Sequence, residues 1–233
     1  MRKTIAVGAV VGVLVALAGF MPANANESHS HGDNGPAELT VFHAIPGVTV
    51  DVYVNGALTL DNFTPGSFSD TLSLDPGTYS VAITAADAKD ASNPVIGPID
   101  LKLGSGNNYT AVAHLTEAGM PTATLFQNNP DPVGKGKGRL TVRHVAAAPS
   151  VDILANGAAA ITDQTNPDEV ELTLPTGTIS AAVAATGTTA ALIGPADVTI
   201  AKRTNTIVYA WGSLADHNLA FAVQTIKLDK AHH

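Results

Sequence analysis

Apolar and polar residues alternate with a period of two along much of the chain, the mark of strands with one buried face. Val48, Val50, Val52 and Val54 interleave with Thr49, Asp51, Tyr53 and Asn55. Tyr79, Val81 and Ile83 alternate with Ser80, Ala82 and Thr84, and Ile99, Leu101 and Leu103 follow the same rule. Val170, Leu172 and Leu174 alternate with Glu169, Glu171 and Thr173, which predicts a solvent face carrying the two glutamates. Asn55-Gly56 and Asn156-Gly157 are tight-turn dipeptides, because both residue types tolerate positive φ. No segment after residue 25 carries a helical stripe. Short strands separated by such turns predict an all-β chain of antiparallel β-sandwiches.

The chain says the same thing twice. Leu39-Thr40-Val41-Phe42-His43-Ala44 returns as Leu140-Thr141-Val142-Arg143-His144-Val145, 101 positions later. Val50-Asp51-Val52 and Asn55-Gly56 return at the same spacing as Val151-Asp152-Ile153 and Asn156-Gly157. A period near 100 is too long for a solenoid and suits two globular units. We expect one β-sandwich domain over 38–128 and a second over 139–228. The Pro- and Gly-rich stretch 129–138 is the expected linker, and 229–233 a C-terminal tail.

Residues 1–25 have the three parts of a secretory signal. Arg2 and Lys3 precede an uncharged apolar run over 5–20, and Ala23-Asn24-Ala25 offers a small-x-small cleavage site. The run falls short of the ~20 residues that span a bilayer comfortably. A secreted or cell-surface protein with no membrane span after cleavage is expected, led by a flexible tail over 26–37.

Composition narrows the chemistry. Without cysteine there is no disulfide, thiolate metal site or cysteine nucleophile. Twenty acidic residues against 12 basic ones exclude a surface built to neutralise nucleic-acid phosphates. Residues 26–133 hold 12 acids and two bases, whereas 134–233 hold eight of each. The bases cluster at Lys135, Lys137, Arg139 and Arg143, so any anionic envelope ligand is expected to meet the linker and second domain.

The opening of each copy carries a family resemblance. His43-Ala44-Ile45-Pro46-Gly47-Val48-Thr49-Val50-Asp51-Val52-Tyr53-Val54-Asn55-Gly56 resembles the "HASPDAPAVDVYVDG"-like signature of a widespread family of bacterial exported domains of unknown function. The second copy, from His144 to Gly157, is a looser match. The resemblance implies an immunoglobulin-like sandwich at the cell surface or in the medium, and supplies no catalytic residues.

The candidate residues are weighed on that frame. Alternation turns His43 and His144 inward, where an imidazole before a turn satisfies buried backbone groups. It turns Arg143, Asp51 and Asp152 outward. No firm metal site emerges; His29 and His31 in the tail offer at most weak Cu²⁺ or Zn²⁺ binding. No serine stands in a nucleophile elbow and no glycine loop opens a helix, so no catalytic residue and no cofactor is expected. Tyr53 on an outer face, with Trp211 and Phe221, supplies candidate stacking surfaces for sugar rings. The expected function is non-enzymatic binding of a glycan, wall polymer or protein at the cell envelope. The alternatives are a structural spacer or self-assembling surface subunit, and weak metal binding by the tail.

Overall fold

The computed structural model describes residues 35–229. The signal expected over 1–25, and His29 and His31 of the tail, lie outside them. In the first repeat the strands are β1 (Ala37–His43), β2 (Val50–Val54), β3 (Ala57–Phe63), β4 (Leu72–Leu74), β5 (Gly77–Ala85), β6 (Ile96–Leu103), β7 (Asn108–Leu115) and β8 (Pro121–Asn128). In the second they are β9 (Lys137–His144), β10 (Val151–Ala155), β11 (Ala158–Gln164), β12 (Glu169–Pro175), β13 (Gly177–Ala185), β14 (Ala191–Ile200), β15 (Thr204–Trp211) and β16 (Ala220–Lys227). Among the described residues no helix is long and apolar enough to cross a membrane.

The strands form two sandwich-like units in tandem with one topology. Sheet β4-β1-β7-β8 faces sheet β3-β2-β5-β6, and β12-β9-β15-β16 faces β11-β10-β13-β14. Every pairing is antiparallel except β1 with β7 and β9 with β15, which run parallel. Inside each unit the apolar half of the alternation makes the core, with Leu39, Val52, Val81 and Ile83 in the first and Leu140, Ile153, Val183 and Val208 in the second.

A third core lies between the repeats. Phe42, Val112 and Phe126, on the outer face of β1-β7-β8, pack with Val145, Ile207 and Tyr209 of the second repeat. Phe42 stacks on Phe68 at 4.3 Å between centroids and meets Tyr209 at 4.9 Å. This is why β7 and β15 are buried on both faces, and why Ile207 to Trp211 read as a continuous apolar run without alternation. Each large apolar side chain taken fully from water there contributes about 1.5–3 kcal/mol.

Arg143, expected to face solvent, is 0% exposed. Alternation does turn it out of its own sandwich, but the first repeat covers that face. Its guanidinium pairs with Glu169, donates through Nη1 to the Tyr209 hydroxyl (2.7 Å) and through Nη2 to Asn128 Oδ1 of the first repeat (2.8 Å). It also sits 4.3 Å above the Phe126 ring, so charge, donors and face are all engaged. Burial pushes the Tyr209 hydroxyl pKa up, and it donates to Gln224 Oε1 at 2.7 Å. Thr110 donates to the same oxygen from across the junction at 3.0 Å.

The linker is tied down by the same groups. Arg139 donates to the Asn129 carbonyl (2.7 Å) and pairs with Glu171 at 3.5 Å, while Asn129 Nδ2 donates to Glu171 (3.0 Å). Glu169 and Glu171 lie on the exposed face of β12, as alternation predicts, and serve there as counter-ions to the two arginines. Two of the four clustered bases are spent inside the protein.

Removing the buried guanidinium leaves a hole and strands Asn128 and Tyr209. Arg143→Ala is expected to destabilise the protein by about 3 kcal/mol, and Glu169→Gln by about 1 kcal/mol because that carboxylate reaches solvent. Urea unfolding of residues 26–233 measures both.

Candidate functional site

The residues of the repeated signature build loops. His43, fully buried at the end of β1, places Nε2 2.8 Å from the Val48 carbonyl and Nδ1 3.4 Å from the Ile45 amide. The ring thus carries its hydrogen on Nε2 and accepts at Nδ1, clamping both sides of the Ala44–Thr49 loop. Gly47 provides the reversal at φ +79°, a backbone state that a side chain resists. His144 repeats the clamp, with Nε2 3.2 Å from the Pro149 carbonyl and Nδ1 3.4 Å from the Ala146 amide.

Asp51 and Asp152, expected on a solvent face, are buried. Asp51 Oδ1 accepts from the Asn62 amide (2.8 Å) and Asp152 Oδ1 from the Asp163 amide (3.0 Å). Asn62 and Asp163 hold positive φ, and the pairing register shifts beside them. Each aspartate therefore fixes a bulge in the neighbouring edge strand. Asn55 and Asn156 close the hairpins of Gly56 and Gly157 and accept from the Ser80 and Ser180 amides at 2.9 and 3.0 Å. Each of these side chains is engaged in holding its own loop, bulge or hairpin.

The loop held by His43 forms one wall of an apolar depression at the end of the first sandwich. With the loop joining β5 to β6 and the start of β8, it encloses about 380 Å³. Ile45, Ile83 and Ile96 form its buried floor, Val48 and Val95 its rim, and Asp87 is its one charged lining residue. Val48 and Val95 are 49% and 54% exposed, and Met120, beside the lining residue Pro121, is 65% exposed. Apolar side chains gathered around a concavity on loops mark a contact site.

The nominated aromatics fall in three places. Tyr53, expected on an outer face open to sugar rings, is only 8% exposed on β2. Trp211 is half-buried in the layer between the repeats, its ring 6.0 Å from Phe42. Phe221, on β16, packs against the second core. They do not form one platform. Sequence reasoning passed over Val48, Val95 and Met120; the available signal was large apolar residues inside segments rich in Pro, Gly and polar residues. No three potential metal ligands converge among the described residues. The third buried imidazole, His114, is engaged by Thr124 Oγ1 at 2.9 Å and the Leu115 carbonyl at 3.0 Å.

Burial pushes the pKa of His43, His114 and His144 below the ordinary imidazole value, partly opposed by their carbonyl partners. For His144, Asp168 and Glu117 also oppose the shift. The fold thus favours the neutral ring, so the unfolded chain binds more protons once pH drops below about 6.5. Stability from these rings is full above that value and declines below it. Urea midpoints are expected to fall between about pH 7.5 and 5.5, and less steeply for His43→Gln/His144→Gln. A flat wild-type profile would contradict the clamp chemistry.

Comparison with known proteins adds the following. No curated protein matches the chain. Among solved structures, the family CBM26 carbohydrate-binding module CBMbc of Eubacterium rectale Amy13K, in complex with maltoheptaose, is 13% identical over 83% of this chain and 98% of that one, with a TM-score of 0.23. Likeness at that level bears on neither the ligand nor the chemistry of this protein. The family model described as Domain of unknown function (DUF4397) matches residues 37–154, from β1 through the first repeat and into β10. The clamp, bulge and hairpin residues of the first repeat, and the opening of the second, all lie inside that match, and the chain belongs to the DUF4397 family.

Proposed function

We propose that this is an exported, non-catalytic binding protein of the bacterial cell envelope that grips a protein partner with the loop end of its first repeat. The observation that carries the reading is the apolar depression of about 380 Å³ rimmed by exposed Val48 and Val95. Its size suits about two large aliphatic or aromatic side chains of a partner, the kind of anchor that dominates protein interfaces. A sugar ring, by contrast, wants an aromatic face flanked by polar groups, and this wall is aliphatic.

Charge refines the partner. Residues 26–133 hold 12 acids and two bases, and Asp87 lines the depression. A neutral or cationic surface is attracted there and an anionic wall polymer repelled. Arg139 and Arg143 are spent on internal pairs and lend nothing to an anionic ligand.

The test is retention of the mature chain on isolated envelopes stripped of nucleic acid. Val95→Asp, which places a charge on the rim without touching a core, is expected to weaken retention about tenfold. Leu58→Asp, equally exposed on β3 of the same repeat, is the control and should bind as wild type. Undiminished binding by Val95→Asp, or wild-type binding that survives protease treatment of the envelopes, would overturn the reading.

A further inference from the structure

The two sandwiches share one topology but not one interior. Between the sheets of the first repeat the free space is about 20 Å³, whereas the corresponding place in the second holds about 240 Å³. Much of the wall is conserved between the copies: Leu39, Val41 and Leu72 in one stand where Leu140, Val142 and Leu172 stand in the other. The difference is concentrated in one sheet. In the first repeat Val54 pairs with Val81 and Val81 with Ile99, a row of branched side chains across three strands. In the second the same row reads Ala155, Ala181 and Ala196. The row behind it changes from Tyr79 with Leu101 to Ile179 with Val198. On the facing sheet Phe221 pairs with Ala210 where Ala123 pairs with Ala113, which returns part of the volume but not all.

We propose that the interior of the second sandwich is a binding cavity for a saturated alkyl chain of about ten carbon atoms, a site separate from the loop end of the first repeat. Native interiors hold few voids larger than a water, and an empty apolar cavity destabilises in proportion to its volume. The first repeat shows that this topology packs nearly solid when the row is branched. Water gains little in the second, because Asn156 at the rim is the only polar side chain in the lining.

Size and shape select the occupant. An apolar cavity of about 150 Å³ accepts benzene, so this one has room in proportion for about ten carbons. Ala160, Ala155 and Ala181 line it from three neighbouring strands, β11, β10 and β13, and strands lie about 4.8 Å apart, giving a trench about 10 Å long. An unbranched chain fits a trench of that form. There is also a way in. Asn156 and Ala160 both line the cavity and are exposed, at the hairpin joining β10 to β11. The polar head of such a molecule remains outside, beside Asn156.

The experiment titrates decanoate into the full mature chain carrying labelled methyl groups, with phosphatidylglycerol vesicles as a parallel arm that tells a free acid from a lipid tail. Saturable, equimolar binding in either arm, with shifts at Ile161, Val198 and Val208, is the expected result. The variant Ala155→Val/Ala181→Val/Ala196→Ile installs the residues of the first repeat and is expected to weaken binding at least tenfold. Silence in both arms would overturn the proposal, as would shifts confined to Val48 and Val95, or undiminished binding by a folded triple variant. The wild-type shift map decides the matter even if that variant does not fold.

Discussion

A guanidinium with no access to water has to find its charge partner, its hydrogen-bond acceptors and its packing within the protein. Arg143 finds them on both sides of the junction between the repeats: Glu169 and Tyr209 on its own side, Asn128 and Phe126 on the other. Directional bonds of this kind fix a register that Phe42, Val112 and Ile207, as apolar groups, leave loose. Arg139, four residues earlier on the same face of β9, does the same for the linker through Asn129 and Glu171. The two sandwiches therefore meet in one defined arrangement, and the chain between them contributes to it.

That arrangement determines what remains available. The outer face of β1-β7-β8 and that of β9-β15-β16 are spent on each other. The signature histidines, aspartates and asparagines then do the same local work in both copies, holding a loop, a bulge and a hairpin. On this common frame the copies have diverged in what they enclose. The first has a packed interior and an open apolar end; the second has a roomier interior, with Ala155 and Ala181 where the first has Val54 and Val81. Duplication has preserved the scaffold and varied its contents, as expected where binding resides in loops and cavities and not in the fold itself.

The fold was legible because alternation reports faces, and turn dipeptides report ends. Val50 to Val54 and Glu169 to Leu174 are strands as their pattern predicts, whereas Val48, included in the same alternation, lies exposed in the loop before β2. Alternation does not report whether an outward face is covered. Arg143, Tyr53, Asp51 and Asp152 were all assigned outward, and all are buried, by the partner repeat or by features of their own sheet. The unbroken apolar run at Ile207 to Trp211 was the local sign of a strand buried on both faces. The parallel pairing of β1 with β7 had no such sign, since it joins residues about 70 apart. The loop-end depression was harder still, because Val48 and Val95 come from two loops and Pro121 from the start of β8, and they acquire meaning only once the fold sets them side by side.

The most direct test of the junction is differential scanning calorimetry of residues 26–233. If the repeats form one body around Arg143, they unfold together, in a single transition whose calorimetric and van't Hoff enthalpies agree. Two separable transitions in the wild-type protein, each with the enthalpy of about 100 residues, would show that the repeats are independent and that the buried charge does not couple them.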